Sequence, residues 1–166
     1  MSIQIGPHHI ESIFFDFDGV FTDNKVWTSS SGEEIVVCSK SDSLGLDDFR
    51  QFIKEQDLNL RLAIISKETN KIVQVRAQKL GLECFTGVNN KAKFIENNFK
   101  VSPKSFIYFG NDINDIEAMS NAAISLAPND AEPEAKDVAI FLGKRSGGNG
   151  FVREGLEYIK TLIERG

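Results

Sequence analysis

Asp16 and Asp18 stand two residues apart at the end of the apolar run 12–17 and are followed at once by Gly19. Two carboxylates at i and i+2 can both face one site if the chain leaves an extended segment between them. Two acids flanking Phe17 are costly to bury without a function. Ser66 closes a second apolar run, 60–66, with Lys67 and Glu68 directly after it. Lys91 opens a helical segment, and Asn111, Asp112 and Asp115 follow a third apolar run, 105–109. Packed together, these carboxylates repel one another unless a cation neutralises them. Hard oxygen ligands with open water positions suit Mg²⁺. With the ion in place, one aspartate can attack phosphorus while the other protonates the leaving oxygen. Ser66, with nearby backbone N–H groups, and Lys91 as a point charge can hold the remaining phosphoryl oxygens.

Such residues meet only if the elements that carry them end on one edge. Runs 12–17, 60–66, 83–86, 105–109, 122–126 and 137–142 have the length and composition of buried strands. Between them lie helical patterns. Asp42 or Ser43 can cap a helix whose apolar stripe is Leu46, Phe49, Phe52 and Ile53. Further helices are expected over 69–80, ended by Gly81, and over 91–99 and 112–120. A last one follows Gly147-Gly148-Asn149-Gly150 and carries Val152, Leu156, Ile159 and Ile163. Segments 25–29 and 33–39, joined by Ser30-Ser31-Gly32, predict a β-hairpin. Alternating strands and helices imply an α/β fold: a doubly wound, Rossmann-like parallel sheet with helices on both faces. In such sheets ligands bind beyond the carboxyl ends of the strands, where the residues named above stand.

Composition narrows the function classes. At 166 residues, 41% hydrophobic and 26% charged, the chain is expected to form one domain, 1–166, and not a disordered segment. No apolar run approaches ~20 residues, so no membrane span is expected. Residues 1–15 show no secretory signal pattern. Cys38 and Cys84 lack metal spacing and read as free thiols in a reducing, cytoplasmic setting. The net charge of −5 argues against nucleic acid or anionic lipid as a partner. His8 and His9 are expected in a mobile, exposed amino-terminal segment, and the 13 phenylalanines in the core. Gly147–Gly150 lacks the Lys-Ser/Thr of a P-loop and reads as a tight turn bringing 151–154 toward the site or a neighbouring subunit.

The stretch Asp16-Phe17-Asp18-Gly19-Val20-Phe21-Thr22-Asp23 closely resembles the first signature of haloacid dehalogenase-superfamily phosphatases. Ser66, Lys91 and Gly110-Asn111-Asp112 match the second, third and fourth in order and context. The resemblance spans nearly the whole chain and points to the small capless branch containing 3-deoxy-D-manno-octulosonate 8-phosphate phosphatase. Sialic-type 9-phosphate phosphatases and the carboxy-terminal domain of some CMP-sialic acid synthetases stand beside it. Supporting stretches are Asp42-Ser43-Leu44-Gly45, Arg76-Ala77-Gln78-Lys79-Leu80-Gly81, Gly87-Val88-Asn89-Asn90-Lys91 and 147–154. The resemblance implies Asp16 as nucleophile, forming an aspartyl-phosphate. It implies Asp18 as general acid and then base, with its backbone carbonyl on the metal. Ser66 and Lys91 are the implied phosphoryl-binding residues, and Lys67, Glu68 and Arg76 are further candidate substrate-binding residues. Asp16, Asp18, Asn111 and Asp112 are the implied Mg²⁺ set. The substrate would be a small phosphorylated sugar acid. It also implies a homotetramer in which the hairpin flap and a neighbouring subunit close a site that has no cap domain.

Three positions depart from that pattern. Asn111 stands where the fourth signature usually begins with aspartate; its amide oxygen can still ligate Mg²⁺, and Asp112 adjoins it. Lys67-Glu68 replaces the glycine–arginine pair usual in octulosonate enzymes, and Ser41 replaces an arginine. Both changes move the expected substrate away from octulosonate 8-phosphate without identifying it, and Glu68 is closer to the nine-carbon acid phosphatases. Asp23, Asp42 and Asp115 can equally be turn or cap residues, with Asp115 supporting the metal side. Glu68 and Arg76 can equally be helix-surface charges. Two other classes compete with a phosphatase. One is an inactive oligomerisation module associated with CMP-sialic acid synthesis, which Asn111 favours. The other is a phospho-accepting receiver domain, whose signalling aspartate would stand alone after the third strand.

Overall fold

The computed structural model describes residues 3–5 and 8–165; of the expected 1–166 domain, residues 1, 2, 6, 7 and 166 lie outside the described residues. Six strands form one parallel sheet: β3 (Ser12–Phe15), β6 (Arg61–Ile65), β7 (Glu83–Phe85), β8 (Phe106–Phe109), β9 (Ile124–Ala127) and β10 (Phe141–Leu142). Their order across the sheet is β10-β9-β8-β3-β6-β7. The chain therefore winds outward from β3 through β6 to β7, then crosses back to β8 and winds the other way. The reversal lies between β3 and β8, which pair in register from Ser12↔Phe106 to Phe15↔Phe109. A crevice opens at the carboxyl ends of strands flanking such a reversal.

The central strands are apolar throughout because both faces are covered. Successive side chains alternate: Ile13 and Phe15 join one buried cluster, while Phe14 joins the other. The first cluster takes in Leu46 and Phe49 of α1 (Lys40–Glu55), Val73 and Ala77 of α2 (Lys71–Leu80), and Leu156 and Ile159 of α6 (Phe151–Arg165). The second takes in Ala92 and Ile95 of α3 (Lys91–Phe99), Ala118 and Met119 of α4 (Ile116–Asn121), and Ala135 of α5 (Pro133–Val138). Asn70 caps α2 by accepting from Ile72 N–H, and Gly81 ends it in the left-handed region at φ 62°. The doubly wound α/β architecture is thus present, with helices on both faces.

Several expected details are corrected. The segment 137–142 is not one strand: residues 133–138 form α5, started by Pro133 in its first turn, and only Phe141–Leu142 pairs with β9. The hairpin is shorter than 25–39 suggested, with β4 (Trp27–Thr28) and β5 (Glu34–Ile35) in register Trp27↔Ile35. An isolated bridge, Thr22↔Cys38, ties its base. His8 and His9 lie in β2 (His8–Ile10), which pairs antiparallel with β1 (Ile3–Ile5). Ile5 and Ile10 are buried, which anchors that pair to the core, while His9 is exposed and His8 half-buried.

Neither Asp42 nor Ser43 caps α1. Ser39 does, its hydroxyl accepting from Ser41 N–H at 3.1 Å. Asp42 instead is buried against the start of α6, accepting from Arg153 N–H at 3.0 Å and Gly150 N–H at 3.3 Å. A carboxylate there satisfies donors that the first turn of α6 leaves free and complements its dipole. Asp42→Ala is expected to cost about 1–2 kcal/mol. In urea unfolding this should lower the midpoint with an unchanged denaturant slope; an unchanged midpoint would show that the cap carries no weight.

Candidate active site

Asp16 is the first residue past β3, and its backbone N–H bonds the Phe109 carbonyl across to β8 at 2.9 Å. The residue is 5% exposed. Oδ1 accepts from Phe17 N–H at 2.7 Å and lies 2.7 Å from Lys91 Nζ. After Asp16 the chain turns sharply: Val20, Phe21 and Thr22 N–H all converge on the Phe17 carbonyl. That turn brings half-buried Asp18 round to the same side, where Thr22 Oγ1 donates to Asp18 Oδ1 at 3.5 Å. Gly19 permits it, with φ at 80°, and an added Cβ would lie 2.0 Å from Asn111 Nδ2. The Gly147-Gly148 turn braces the loop from behind. A Cβ on Gly147 would lie 2.0 Å from the Gly19 carbonyl oxygen, and Gly148 N–H donates to Val20 O at 3.1 Å.

Ser66 ends β6 fully buried, its Oγ accepting from Glu68 N–H at 3.1 Å. Glu68 Oε1 accepts in turn from Thr69 and Asn70 N–H, and Asn70 Nδ2 donates to Glu34 Oε2 of the hairpin at 2.7 Å. Lys91, the first residue of α3, is buried and spans two carboxylates, with Nζ 2.7 Å from Asp16 Oδ1 and 2.7 Å from Asp115 Oδ1. Asp115 lies in a single 3-10 turn, Ile113–Asp115, and is fully buried. It also accepts from Tyr108 O–H at 2.8 Å and from Asn111 N–H at 2.9 Å. Asp115 therefore holds Lys91 and the strand end, and a place lining the cleft falls instead to Asn111 and Asp112.

Asp16, Asp18, Ser66, Glu68, Asn111 and Asp112 line one cavity of about 300 Å³, with Lys67 at its rim. Asn24 and Asn114 also line it. The sequence offered no signal for either beyond their closeness to Asp23 and Asp112. A second cavity of about 270 Å³ continues from it past Asp18, Asn24 and Glu68, under Lys25, Val26 and Glu34 of the hairpin. Arg76 is not part of the cleft. Its guanidinium donates to Ser43 Oγ at 2.7 Å and lines a separate groove with Lys40, Lys71 and Lys79. A larger cavity, about 840 Å³, opens at the opposite, amino ends of the strands. There Arg61 is committed to Glu83 and to the Phe99 ring, and Asp16, Asp18, Asn111 and Asp112 do not line it.

Burial, reinforced by the Asp115 charge, pushes the Asp16 carboxyl up to about 8 despite Lys91. Burial and the Glu68 charge raise Asp18 as well. Burial alone would lower Lys91, but Asp16 and Asp115 more than offset it, so the ammonium stays charged. One cation between two buried acids leaves the cluster short of positive charge. A divalent cation fits that deficit. Its candidate ligands are the oxygens of Asp16, Asp18, Asn111 and Asp112, and among them Asn111 Oδ1 is buried without a hydrogen-bond partner. The sign for stability follows. With its folded pKa raised above the ordinary 3.8, Asp16 makes the folded state hold a proton the unfolded state has released. Stability without metal should fall as pH climbs from about 4 to about 8, and added Mg²⁺ should restore more at pH ~8 than at pH ~5. Thermal melts with and without EDTA check this; a Mg²⁺ effect independent of pH would contradict it.

A sequence family described as haloacid dehalogenase-like hydrolase matches residues 6–153. The chain belongs to that family. It is therefore a hydrolase. Among curated relatives, 3-deoxy-D-manno-octulosonate 8-phosphate phosphatase of Salmonella typhimurium is 28% identical over 161 residues, covering 90% of this chain and 82% of that one. N-acylneuraminate cytidylyltransferase A of Danio rerio is 27% identical over 96% of this chain but only 37% of its own length. A crystal structure of the octulosonate 8-phosphate phosphatase of Moraxella catarrhalis, in complex with magnesium ion, phosphate ion and KDO, superposes with a TM-score of 0.84. It is 25% identical and covers 94% of this chain and 88% of that one.

Proposed function

We propose that this hydrolase is a Mg²⁺-dependent phosphatase acting on the phosphomonoester of a sugar acid, a 2-keto-3-deoxy ulosonic acid of eight or nine carbons. The observation that carries the reading is Asp16: a buried carboxylate in contact with Lys91, at the sheet's reversal point, with Asp18 on the same cavity. An oxygen of Asp16 attacks phosphorus, the ester P–O bond breaks, and Asp18 gives its proton to the departing alkoxide. Burial, with the Glu68 charge, raises the Asp18 carboxyl above its ordinary value, which favours its proton-carrying form. Asp18, now ionised, takes a proton from water as that water attacks the aspartyl-phosphate, and phosphate leaves with Asp16 regenerated. Ser66 and Lys91 hold the non-reacting phosphoryl oxygens. Oxygens of Asp16, Asp18 and the 111–112 pair would hold Mg²⁺, whose charge would offset the repulsion between carboxylate and phosphate.

The leaving group fits the second cavity, where Asn24, Lys25, Glu34 and Glu68 offer hydrogen bonds to hydroxyls and Phe17 and Val36 an apolar wall. Lys67 and Glu68 stand at the junction, and Arg76 waits in the adjoining basic groove for the carboxylate end of an extended substrate. The reading takes 1–166 as one catalytic domain. Segment 16–39 holds the hairpin and, among the described residues, no cap. Free Cys38 and Cys84, with no described helix long and apolar enough to cross a membrane, support a cytoplasmic setting.

The hairpin exposes Val26, Trp27, Ile35 and Val37, with Trp27 71% exposed. Exposed apolar side chains clustered this way mark an interface, and a homotetramer built on them would close the site from outside. Trp27→Asp is expected to yield a smaller species in light scattering after gel filtration; an unchanged mass would remove the hairpin from the interface.

The test of function is phosphate release from a panel of eight- and nine-carbon ulosonic acid phosphates, hexose phosphates and nucleotides, with Mg²⁺ or EDTA. Preference for an ulosonic acid phosphate, lost in EDTA, is the expected result. Asn111 and the cytidylyltransferase relative favour one other reading, an inactive oligomerisation module. Metal-loaded protein that turns over none of the panel would select it.

A further inference from the structure

Asn70 bridges α2 and the hairpin. It is the N-cap of α2, and its Oδ1 accepts from Ile72 N–H at 3.0 Å. That bond fixes which way the amide faces and turns Nδ2, the donor end, away from the helix. Nδ2 reaches Glu34 Oε2 at 2.7 Å. In the other direction Asn70 N–H donates to Glu68 Oε1 at 2.8 Å, and Glu68 N–H donates to Ser66 Oγ at 3.1 Å. A run of hydrogen bonds thus leads from the end of β6, at the phosphoryl side of the cleft, out to the hairpin.

The hairpin needs such a tie. β4 and β5 have two residues each, all exposed, and a pair of that size has little stability of its own. Side chains alternate along the returning strand. Ile35 and Val37 face outward and are exposed, while Val36 and Cys38 pack against the core. Glu34 shares the parity of Val36 and Cys38, and reaches α2 by a polar contact where they are held by packing. Glu34 and Val36 on one side, and Asn70 and Ile72 on the other, wall the cavity of about 270 Å³ that continues past Asp18.

We infer that Asn70 is a positioning residue: by holding Glu34 it sets the distance between hairpin and α2, and with it the width of the cavity that receives the leaving group. This rests on the phosphatase reading given above and adds to it a source of selectivity within one subunit. An ester whose alcohol extends past Asp18 depends on the tie. One whose leaving group ends at the phosphoryl pocket does not. The wall touches the leaving group before and during P–O cleavage alike, so loss of the tie raises KM and leaves kcat as it was.

Asn70→Ser is the informative variant, since a serine hydroxyl still caps α2 but is too short to reach Glu34. Hydrogen exchange over 27–35, read by mass spectrometry, measures the tie without turnover. Exchange there should be about three- to tenfold faster than in wild type, the worth of one hydrogen bond. Asn70→Asp/Glu34→Gln exchanges donor for acceptor and should bring exchange back to within about twofold of wild type. For eight- and nine-carbon ulosonic acid phosphates, Asn70→Ser should raise KM about three- to tenfold at unchanged kcat. For acetyl phosphate, whose leaving group is too small to reach the hairpin, kcat/KM should change by less than about twofold. Unchanged exchange in Asn70→Ser, or no recovery in the exchanged pair, overturns the tie whatever the esters do. Faster exchange with all the esters slowed alike, or with none affected, overturns the role in selecting the leaving group. Wild-type protein that hydrolyses no ulosonic acid phosphate overturns the substrate reading and the selectivity built on it, while the exchange measurement still decides the tie.

Discussion

Asp16→Asn is expected to reduce phosphate release by at least about a thousandfold while leaving the protein as stable as before or more so. The loss follows because an amide cannot form the aspartyl-phosphate on which the two-step route depends. The stability gain has a separate cause. Asp16 is a buried acid whose ionised form the fold disfavours, and an amide of the same shape removes that charge while Lys91 keeps its 2.7 Å partner in Asp115. Opposite signs for activity and stability distinguish loss of a reacting group from damage to the fold. Release of phosphate from the preferred ester and the midpoint of urea unfolding measure the two. Activity within tenfold of wild type would eliminate Asp16 as nucleophile.

Lys91→Met should have the largest effect on stability. The substitution leaves Asp16 and Asp115 buried with no counter-charge between them, and breaking a buried ion pair from one side costs about 3–5 kcal/mol. The loss should be smaller in acid, where Asp16 takes up its proton, and should be largely recovered in Lys91→Met/Asp115→Asn. Activity should not return in that double variant, because the cation that would hold a phosphoryl oxygen is still missing. Urea unfolding at pH ~5 and pH ~8 tests the pair. A loss below about 1 kcal/mol at both would show that Lys91 does not balance these acids.

The parts of this molecule that could be read from the chain are those whose environment is uniform. β3, β6 and β8 are buried on both faces, so they appear as unbroken apolar runs, and α3 begins and ends where its Lys91 and Phe99 suggested. The acid pair, Ser66 and the 111–112 step were legible because strand ends at a reversal point must converge. What stayed hidden depends on contacts distant in sequence. Asp42 looked like the cap of its own helix, yet its partners are more than a hundred residues away at Gly150 and Arg153. α5 is too short to show a helical period, so Val138–Leu142 dominated that region as an apparent strand. Arg76 shares a motif with Leu80 and Gly81, but the face of α2 it occupies turns it toward Ser43 and away from Asp16. Asn24 lines the cavity from just outside the hairpin, a place only the three-dimensional turn reveals.

The bracing of the Asp18–Thr22 loop by Gly147 and Gly148 bears on when, in the life of a chain, this site can exist. The turn that props the loop of Asp16 and Asp18 is made some 130 positions after those aspartates. Asp42 likewise waits for Gly150 and Arg153 before its charge is satisfied. Closing loops of that length is slow compared with forming local helices. A nascent chain would thus carry its acids in an unset loop until residues 147–153 have been made. The strand end that carries the acids and the turn that fixes it take their places together.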